Sequence, residues 1–227
     1  ILLTGGAGFI GSNFVHRFLD ANPQARIVNL DLLTYAGSRD NLNGLRGADR
    51  HELVVGDIRD RGLIDRLLRE RDIDTIIHFA AESHVDRSIA GPEVFITTNV
   101  HGTFTLLESA RMCWFEERKF GPDQCRFHHI STDEVYGSLG PADPAFTETT
   151  PYAPNSPYSA SKAGSDHLVR AYFHTFGLPC VSTNCSNNYG PRQHGEKLIP
   201  TIIRSCRNRT PIPVYGQGVN VRDWLYV

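Results

Sequence analysis

The 227-residue chain contains nothing approaching the roughly 20 consecutive apolar residues of a spanning helix, and no charged head with an apolar stretch before a cleavage site. A membrane protein is therefore not expected, and the chain reads as soluble. Charge of one sign is also lacking: 23 Lys and Arg stand against 25 Asp and Glu, for a formal net charge of −2. No cationic surplus is available to neutralise a nucleic-acid backbone or an anionic bilayer, so neither nucleic acid nor membrane is expected as a partner. Cysteine is sparse and odd in number. Cys113, Cys125, Cys180, Cys185 and Cys206 include no C-x-x-C pair, which argues against a disulfide framework or a structural zinc site, and for a reducing compartment such as the cytoplasm. Internal repeats and low-complexity segments are absent. Ile1 opens directly on an apolar run and the last residues, WLYV, stop inside what reads as structure, so the chain is expected to be truncated at both ends.

What is present is an α/β rhythm in a chain with 40% hydrophobic residues, enough for a substantial core. Short β-branched or aliphatic runs predict strands at 1–4, 25–31, 51–57, 75–80, 125–131 and 180–186. Longer amphipathic runs predict helices at about 8–21, 60–71, 92–118 and 157–176; in the second, Leu63, Ile64, Leu67 and Leu68 share one face. Strands alternating with helices require right-handed crossovers, so the expected fold is a doubly wound parallel sheet of Rossmann type. Beyond Gly190 the composition turns to short segments punctuated by proline. Residues 1–190 are accordingly expected to form a dinucleotide-binding domain, with 191–227 the start of a smaller substrate-binding region whose remainder is absent.

The first strand runs into Thr4-Gly5-Gly6-Ala7-Gly8-Phe9-Ile10-Gly11. Glycines at 5, 8 and 11 permit a tight turn and let backbone N–H groups and a helix N-terminus approach a pyrophosphate, with Phe9 and Ile10 in the first helical turn. A glycine triplet alone is weak, because such turns also join strands to helices for structural reasons. Context strengthens it. Asp31 ends the second strand 20 residues after Gly11, where a carboxylate accepts from a ribose 2′-hydroxyl; the structural alternative is a carboxylate capping a turn. Asp57 and Ile58 end the third strand, where the carboxylate either meets an adenine amino group or caps the next helix. Ala80 and Ala81 end the fourth with small residues suited to close approach. These residues point to NAD rather than NADP, since Asp31 would repel a 2′-phosphate and no arginine lies immediately beside it.

Tyr158 and Lys162 stand at i and i+4, on one face of a predicted helix. On a dinucleotide-binding sheet an ammonium there would lower the phenol's pKa, making it a base for a sugar hydroxyl, and would reach the nicotinamide ribose. At this point the chain resembles the extended short-chain dehydrogenase/reductases. Four longer motifs, AAESHVDRS at 80–88, STDEVYG at 131–137, NCSNNYGP at 184–191 and RDWLYV at 222–227, narrow the resemblance to the dTDP-glucose 4,6-dehydratases over the whole chain.

The resemblance implies NAD-dependent loss of water from a nucleotide-diphosphate hexose: oxidation at C4, elimination across C5–C6 and return of hydride to C6. Tyr158 would be the base at the 4-hydroxyl, Lys162 its electrostatic partner and Thr132 a hydroxyl bonding the same oxygen. Asp133 would be the acid at the C6 hydroxyl and Glu134 the base at C5. Ser83, Asn188, Lys197, Leu198 and Arg222 would hold the sugar and diphosphate. A homodimer is also implied, through the helices at 92–118 and 157–176. The segment Arg192-Gln193-His194-Gly195 departs from the family's aromatic-proline pattern, and the loop at 38–40 is slightly lengthened. Without the resemblance, Asp133 and Glu134 would read as helix caps and Asp86-Arg87 as an ion pair or a substrate contact. His128 and His129, on opposite faces of one strand, offer no zinc spacing. The competing readings are a nucleotide-sugar 4-epimerase or UDP-glucuronate decarboxylase, which would lack the Asp-Glu pair, and a non-catalytic dinucleotide-binding protein.

Overall fold

A computed structural model describes residues 1–117, 119–214 and 217–227. Six parallel strands form the central sheet: β1 (Leu2–Thr4), β2 (Ile27–Asp31), β3 (His51–Val55), β4 (Thr75–His78), β5 (Arg126–Thr132) and β6 (Cys180–Cys185). Their order is β3-β2-β1-β4-β5-β6, and every pairing is parallel. The order reverses between β1 and β4, and a doubly wound sheet opens a crevice at the carboxyl ends of its strands there. The expected α/β fold is thus the observed one. β3 and β4 end two residues earlier than the apolar pattern predicts, because the chain turns out of the ladder at Gly56 and Phe79, although each still donates one backbone bond to the neighbouring strand.

Helix α1 (Phe9–Ala21) covers one face of the sheet, where Val15 and Leu19 pack on Leu3 and Ile27. The other face holds the larger core. Here α2 (Arg61–Glu70), α5 (Thr103–Arg111) and α6 (Pro157–Phe176) bring Ile64, Leu68, Leu106, Leu107 and Val169 onto Leu2, Leu30, Ile76 and Phe127. Trp114 is fully buried among them, and its indole N–H donates to the Ile73 carbonyl at 2.8 Å.

The single helix expected at 92–118 is a composite. α4 (Glu93–Phe95) leads into a π-wound turn, Ile96–Gly102, then α5, then a second π-wound turn, Met112–Glu116. Position 118 of that expectation lies outside the described residues. Each π turn admits an extra residue and so rotates the faces that follow it; Asn99 and Thr103 are both buried in this run.

Local chemistry fixes the ends of α6. Ser156 and Ser159 form a reciprocal capping box, Pro157 occupies the first turn and Gly177 closes the helix with φ +70. Three elements escaped the sequence pattern: α3 (Val85–Ala90), α7 (Leu198–Asn208) and a two-stranded parallel sheet of β7 (Asn187–Tyr189) with β8 (Trp224–Tyr226). This small sheet has one strand on either side of Gly190. Among the described residues no helix is long and apolar enough to cross a membrane.

Candidate active site

A cavity of about 620 Å³ lies at the carboxyl ends of the strands. Every residue that the sequence assigns to cofactor, substrate or catalysis lines it: Gly5, Gly8, Phe9, Ile10, Gly11, Asp31, Asp57, Ile58, Ala80, Ala81 and Ser83 from the amino-terminal half, and Thr132, Asp133, Glu134, Tyr158, Lys162, Asn188, Lys197, Leu198 and Arg222 from the other. Asp86 and Arg87, read as an ion pair or a substrate contact, are not part of its lining.

The amino-terminal wall is a backbone cradle. Gly5 has φ +75, and a Cβ there would lie 2.6 Å from the Ala80 nitrogen; at Gly11 it would lie 2.3 Å from the Gly5 carbonyl oxygen. Gly8 caps α1 without a side-chain hydrogen bond, and no acidic residue occupies the helix's first turn. Its leading N–H groups therefore face the cavity with the positive end of the helix dipole behind them, which suits a pyrophosphate.

Asp31 has two roles at once. Its oxygens accept from the Ala7 and Leu33 backbone N–H groups, both at 2.8 Å, so it stitches the glycine turn to the end of β2. A carboxylate has about four acceptor positions, which leaves capacity for a ribose hydroxyl. Gly37 passes so close that a Cβ would lie 2.8 Å from Asp31 Oδ1. Asp57 is not the cap of α2; Asp60 is, accepting from Leu63 N at 3.0 Å. Asp57 instead takes a forked pair from Arg59 (2.6 to 3.0 Å), which holds its carboxyl below the usual range and fixes its orientation at the cavity edge.

The carboxyl-terminal wall consists of ionisable side chains. Thr132 caps a 3-10 turn, Asp133–Tyr136, by accepting from Glu134 N at 3.3 Å, and its hydroxyl donates to Asp133 Oδ1 at 3.3 Å. The capping role that Asp133 and Glu134 could have had thus falls to Thr132, and both carboxylates line the cavity. Burial raises the pKa of each. For Glu134 the Asp133 carboxylate adds to the rise, while for Asp133 burial alone drives it, and Arg222 works against the shift at both.

Tyr158 departs from expectation. Burial and the Glu134 charge raise its pKa, with the Thr132 hydroxyl opposing them. The Lys162 ammonium does not lie against the phenol; it donates to the Ile130 carbonyl at 2.8 Å and lies 3.4 Å from His129 Nε2. Burial pushes Lys162 itself down to about 8.

Several contacts had no signal in the sequence. The Asn99 amide accepts from Glu82 N (2.8 Å) and donates to Glu82 O (2.9 Å) and Ser161 Oγ (2.8 Å), tying the loop after β4 to α6. His78, kept neutral by burial, is held between the hydroxyls of Thr4 (2.7 Å) and Thr103 (2.9 Å). Arg87 pairs with Glu196 rather than Asp86, at 3.6 Å, and its guanidinium lies 3.7 Å above the centre of the Tyr35 ring. Among the described residues no group of three or more His, Cys, Asp or Glu is arranged to hold a metal ion.

Comparison with known proteins agrees with this geometry. A family model described as GDP-mannose 4,6 dehydratase matches residues 2–227. A dTDP-glucose 4,6-dehydratase of Xanthomonas campestris pv. campestris (strain B100) is 59% identical over the whole chain, which spans 64% of that relative's length. DesIV, a dTDP-glucose 4,6-dehydratase from Streptomyces venezuelae solved with NAD bound, superposes with a TM-score of 0.90 at 51% identity, covering 99% of this chain and 67% of its own. The dTDP-glucose 4,6-dehydratase of Bacillus anthracis str. Ames in complex with NAD gives 0.87 at 45% identity, covering 99% and 66%.

Proposed function

The chain belongs to the family described as GDP-mannose 4,6 dehydratase, and on that premise we propose that it forms the cofactor-binding and catalytic part of an NAD-dependent dTDP-glucose 4,6-dehydratase, a hydro-lyase of deoxysugar biosynthesis. The observation that carries the reading is the meeting, in one cavity, of an uncapped glycine-rich helix N-terminus with the Thr132-Asp133-Glu134 turn and the Tyr158–Lys162 pair. Relatives at 59% and 51% identity bear the dehydratase name, and the solved neighbours hold NAD.

When bound in the glycine cradle, NAD would accept hydride from sugar C4 and give it back at C6. The residues supply everything else. Tyr158, with Thr132 beside it, takes the proton of the 4-hydroxyl as the phenolate, while the Lys162 ammonium, one turn along α6 and seated on the Ile130 carbonyl, adds positive charge to that side of the cavity. The C4 ketone acidifies the proton on C5, and Glu134 takes it. Hydroxide leaves poorly, so Asp133 must deliver a proton to the departing C6 oxygen, and its burial-raised pKa favours the acid form that this requires. The balance is loss of one water with the cofactor restored.

Lys197, the N-cap of α7, and Arg222 both line the cavity and offer cations to a diphosphate, with Asn188, Ser83 and Leu198 around the sugar. Asp31 favours NAD over NADP, and a calorimetric titration in which NADP bound more tightly would contradict this. The domains fall at 1–190 and 191–227, the latter beginning a substrate-binding region. Exposed Ile96, Phe104, Phe173 and Phe176 on the packed helical run and α6 suit pairing with a second copy in a homodimer, which sedimentation would detect. Free cysteines and the absence of a long apolar helix among the described residues fit the cytoplasm.

The deciding experiment is a product assay on full-length protein with dTDP-glucose and UDP-glucose. A 4-keto-6-deoxy sugar from dTDP-glucose supports the reading; epimerised hexose, or no turnover with NAD bound, would refute it.

A further inference from the structure

Helix α6 carries three ionisable side chains one turn apart, Tyr158, Lys162 and Asp166, and the reaction above uses only the first two. Asp166 is 5% exposed and Lys162 4%. Charges so far from water persist only with compensation.

The Asp166 carboxylate accepts through Oδ2 from the hydroxyls of Ser131 (2.8 Å) and Tyr152 (3.0 Å) and, at 3.4 Å, from the Asn184 amide. All three donors are neutral. Its Oδ1 lies 3.1 Å from His129 Nε2, and the same ring nitrogen is 3.4 Å from Lys162 Nζ. Burial pushes the His129 imidazole down to about 4, so near neutral pH it is an uncharged spacer between carboxylate and ammonium. Lys162 in turn donates to a neutral acceptor, the Ile130 carbonyl. Asp166 acts on it more strongly than any other charged group among the described residues.

We propose that Asp166 is a positioning residue for the Lys162 ammonium: across the neutral His129 ring it supplies the buried counter-charge that keeps Lys162 protonated and aimed at the cavity. The inference rests on the assignment of Tyr158 and Lys162 as the oxidation pair. Among the described residues the other titratable groups that act on Lys162, or on which it acts, are His129 on β5, His78 on β4 and Cys185 on β6, and none of them is a carboxylate that could replace Asp166. Burial has already brought Lys162 close to the working pH. Removal of Asp166 lowers its protonation midpoint further, so the ammonium is lost at lower pH as pH rises.

The test is the titration of the Lys162 13Cε resonance in full-length, cofactor-free protein. Asp166→Asn should lower the midpoint by on the order of one pH unit, the usual scale for loss of a nearby opposite charge. NAD affinity at pH 8 should then fall several-fold, with little change at pH 6.5. Tyr152→Phe removes a donor from the same carboxylate but keeps its charge, so it should leave the midpoint in place. An unshifted midpoint in Asp166→Asn, or an equal shift in Tyr152→Phe, overturns the proposal.

Should Asp166→Asn fail to fold, reciprocity supplies a second route: Lys162→Met should raise the Asp166 carboxyl midpoint by the same amount, and an unmoved Asp166 again overturns the proposal. The oxidation pair is judged separately. If Lys162→Met leaves single-turnover cofactor reduction intact, that assignment fails whatever the titrations show.

Discussion

Along the wall formed by the ends of β1, β2 and β4, the chain meets a ligand with glycines and backbone N–H groups, whereas along the wall formed by β5, β6 and α6 it presents ionisable side chains taken out of water. The first wall works through shape. Gly5 and Gly11 leave no room for a Cβ, and Asp31 is spent partly on holding the turn together. The second works through displaced proton affinities: Asp133, Glu134 and Tyr158 are all shifted upward by burial, and Lys162 is shifted down to about 8. Binding surfaces can be rigid and satisfied, but groups that must exchange protons in a reaction are held where neither protonation state is comfortable.

That contrast can be broken most sharply at Tyr158. Tyr158→Phe removes the phenol proton acceptor and should slow single-turnover cofactor reduction at least about 100-fold, within the range for loss of a general base, while thermal stability and NAD affinity change little. Reduction at the wild-type rate would remove Tyr158 from the chemistry.

The glycine wall should respond in the opposite way. In Gly11→Ala the new methyl meets the Gly5 carbonyl oxygen at 2.3 Å, so the backbone must move, and thermal unfolding should report a loss of about 1–3 kcal/mol, the usual cost of overpacking. At Gly8 a Cβ has only one near neighbour, the Gly5 carbonyl oxygen at 3.3 Å. Gly8→Ala should therefore keep most of its stability and lose NAD affinity, measured by calorimetry. Equal stability losses at the two positions would erase the distinction between a packing glycine and a ligand-facing one.

The smallest expected effect has the least intuitive sign. A carboxyl whose pKa is raised by folding binds its proton more tightly in the folded state, so its contribution to stability is present at low pH and lost as pH rises through the folded value. At pH 7 both Asp133 and Glu134 are then destabilising. Asp133→Asn should raise Tm at pH 7 by a degree or so, and the gain should shrink as pH falls toward the carboxyl range. A lower Tm at pH 7 would mean that the carboxylate is stabilised by contacts outweighing its burial.

The two walls also differed in how far they could be read from the sequence. The glycine spacing and the distance to Asp31 reflect backbone geometry, which has few solutions, and the doubly wound parallel sheet, though not its strand order, followed from the alternation of apolar runs with amphipathic ones. The roles of Asp133 and Glu134 were not legible from local pattern, since carboxylates after a strand serve equally as caps; only the resemblance assigned them. Thr132 proved to be the cap. The link from Asn99 to Glu82 and Ser161 could not be foreseen, because it depends on the rotation that a π-wound turn gives to a helical run. Asp166 did leave a trace, repeating the four-residue step from Tyr158 to Lys162, but the trace means little until burial is known. α7 was hidden by Pro200, which sits in its first turn, where a missing N–H costs nothing.

The division of labour between Asp133 and Glu134 is tested most directly by stopped-flow absorbance of full-length Asp133→Asn mixed with dTDP-glucose, with the sugar species followed by mass spectrometry. The first oxidation should proceed at close to the wild-type rate, after which reduced nicotinamide and 4-keto-glucose nucleotide should accumulate because the C6 oxygen cannot leave. Failure to reduce the cofactor at all, or turnover at the normal rate, would contradict the assignment of Asp133 as the acid at C6.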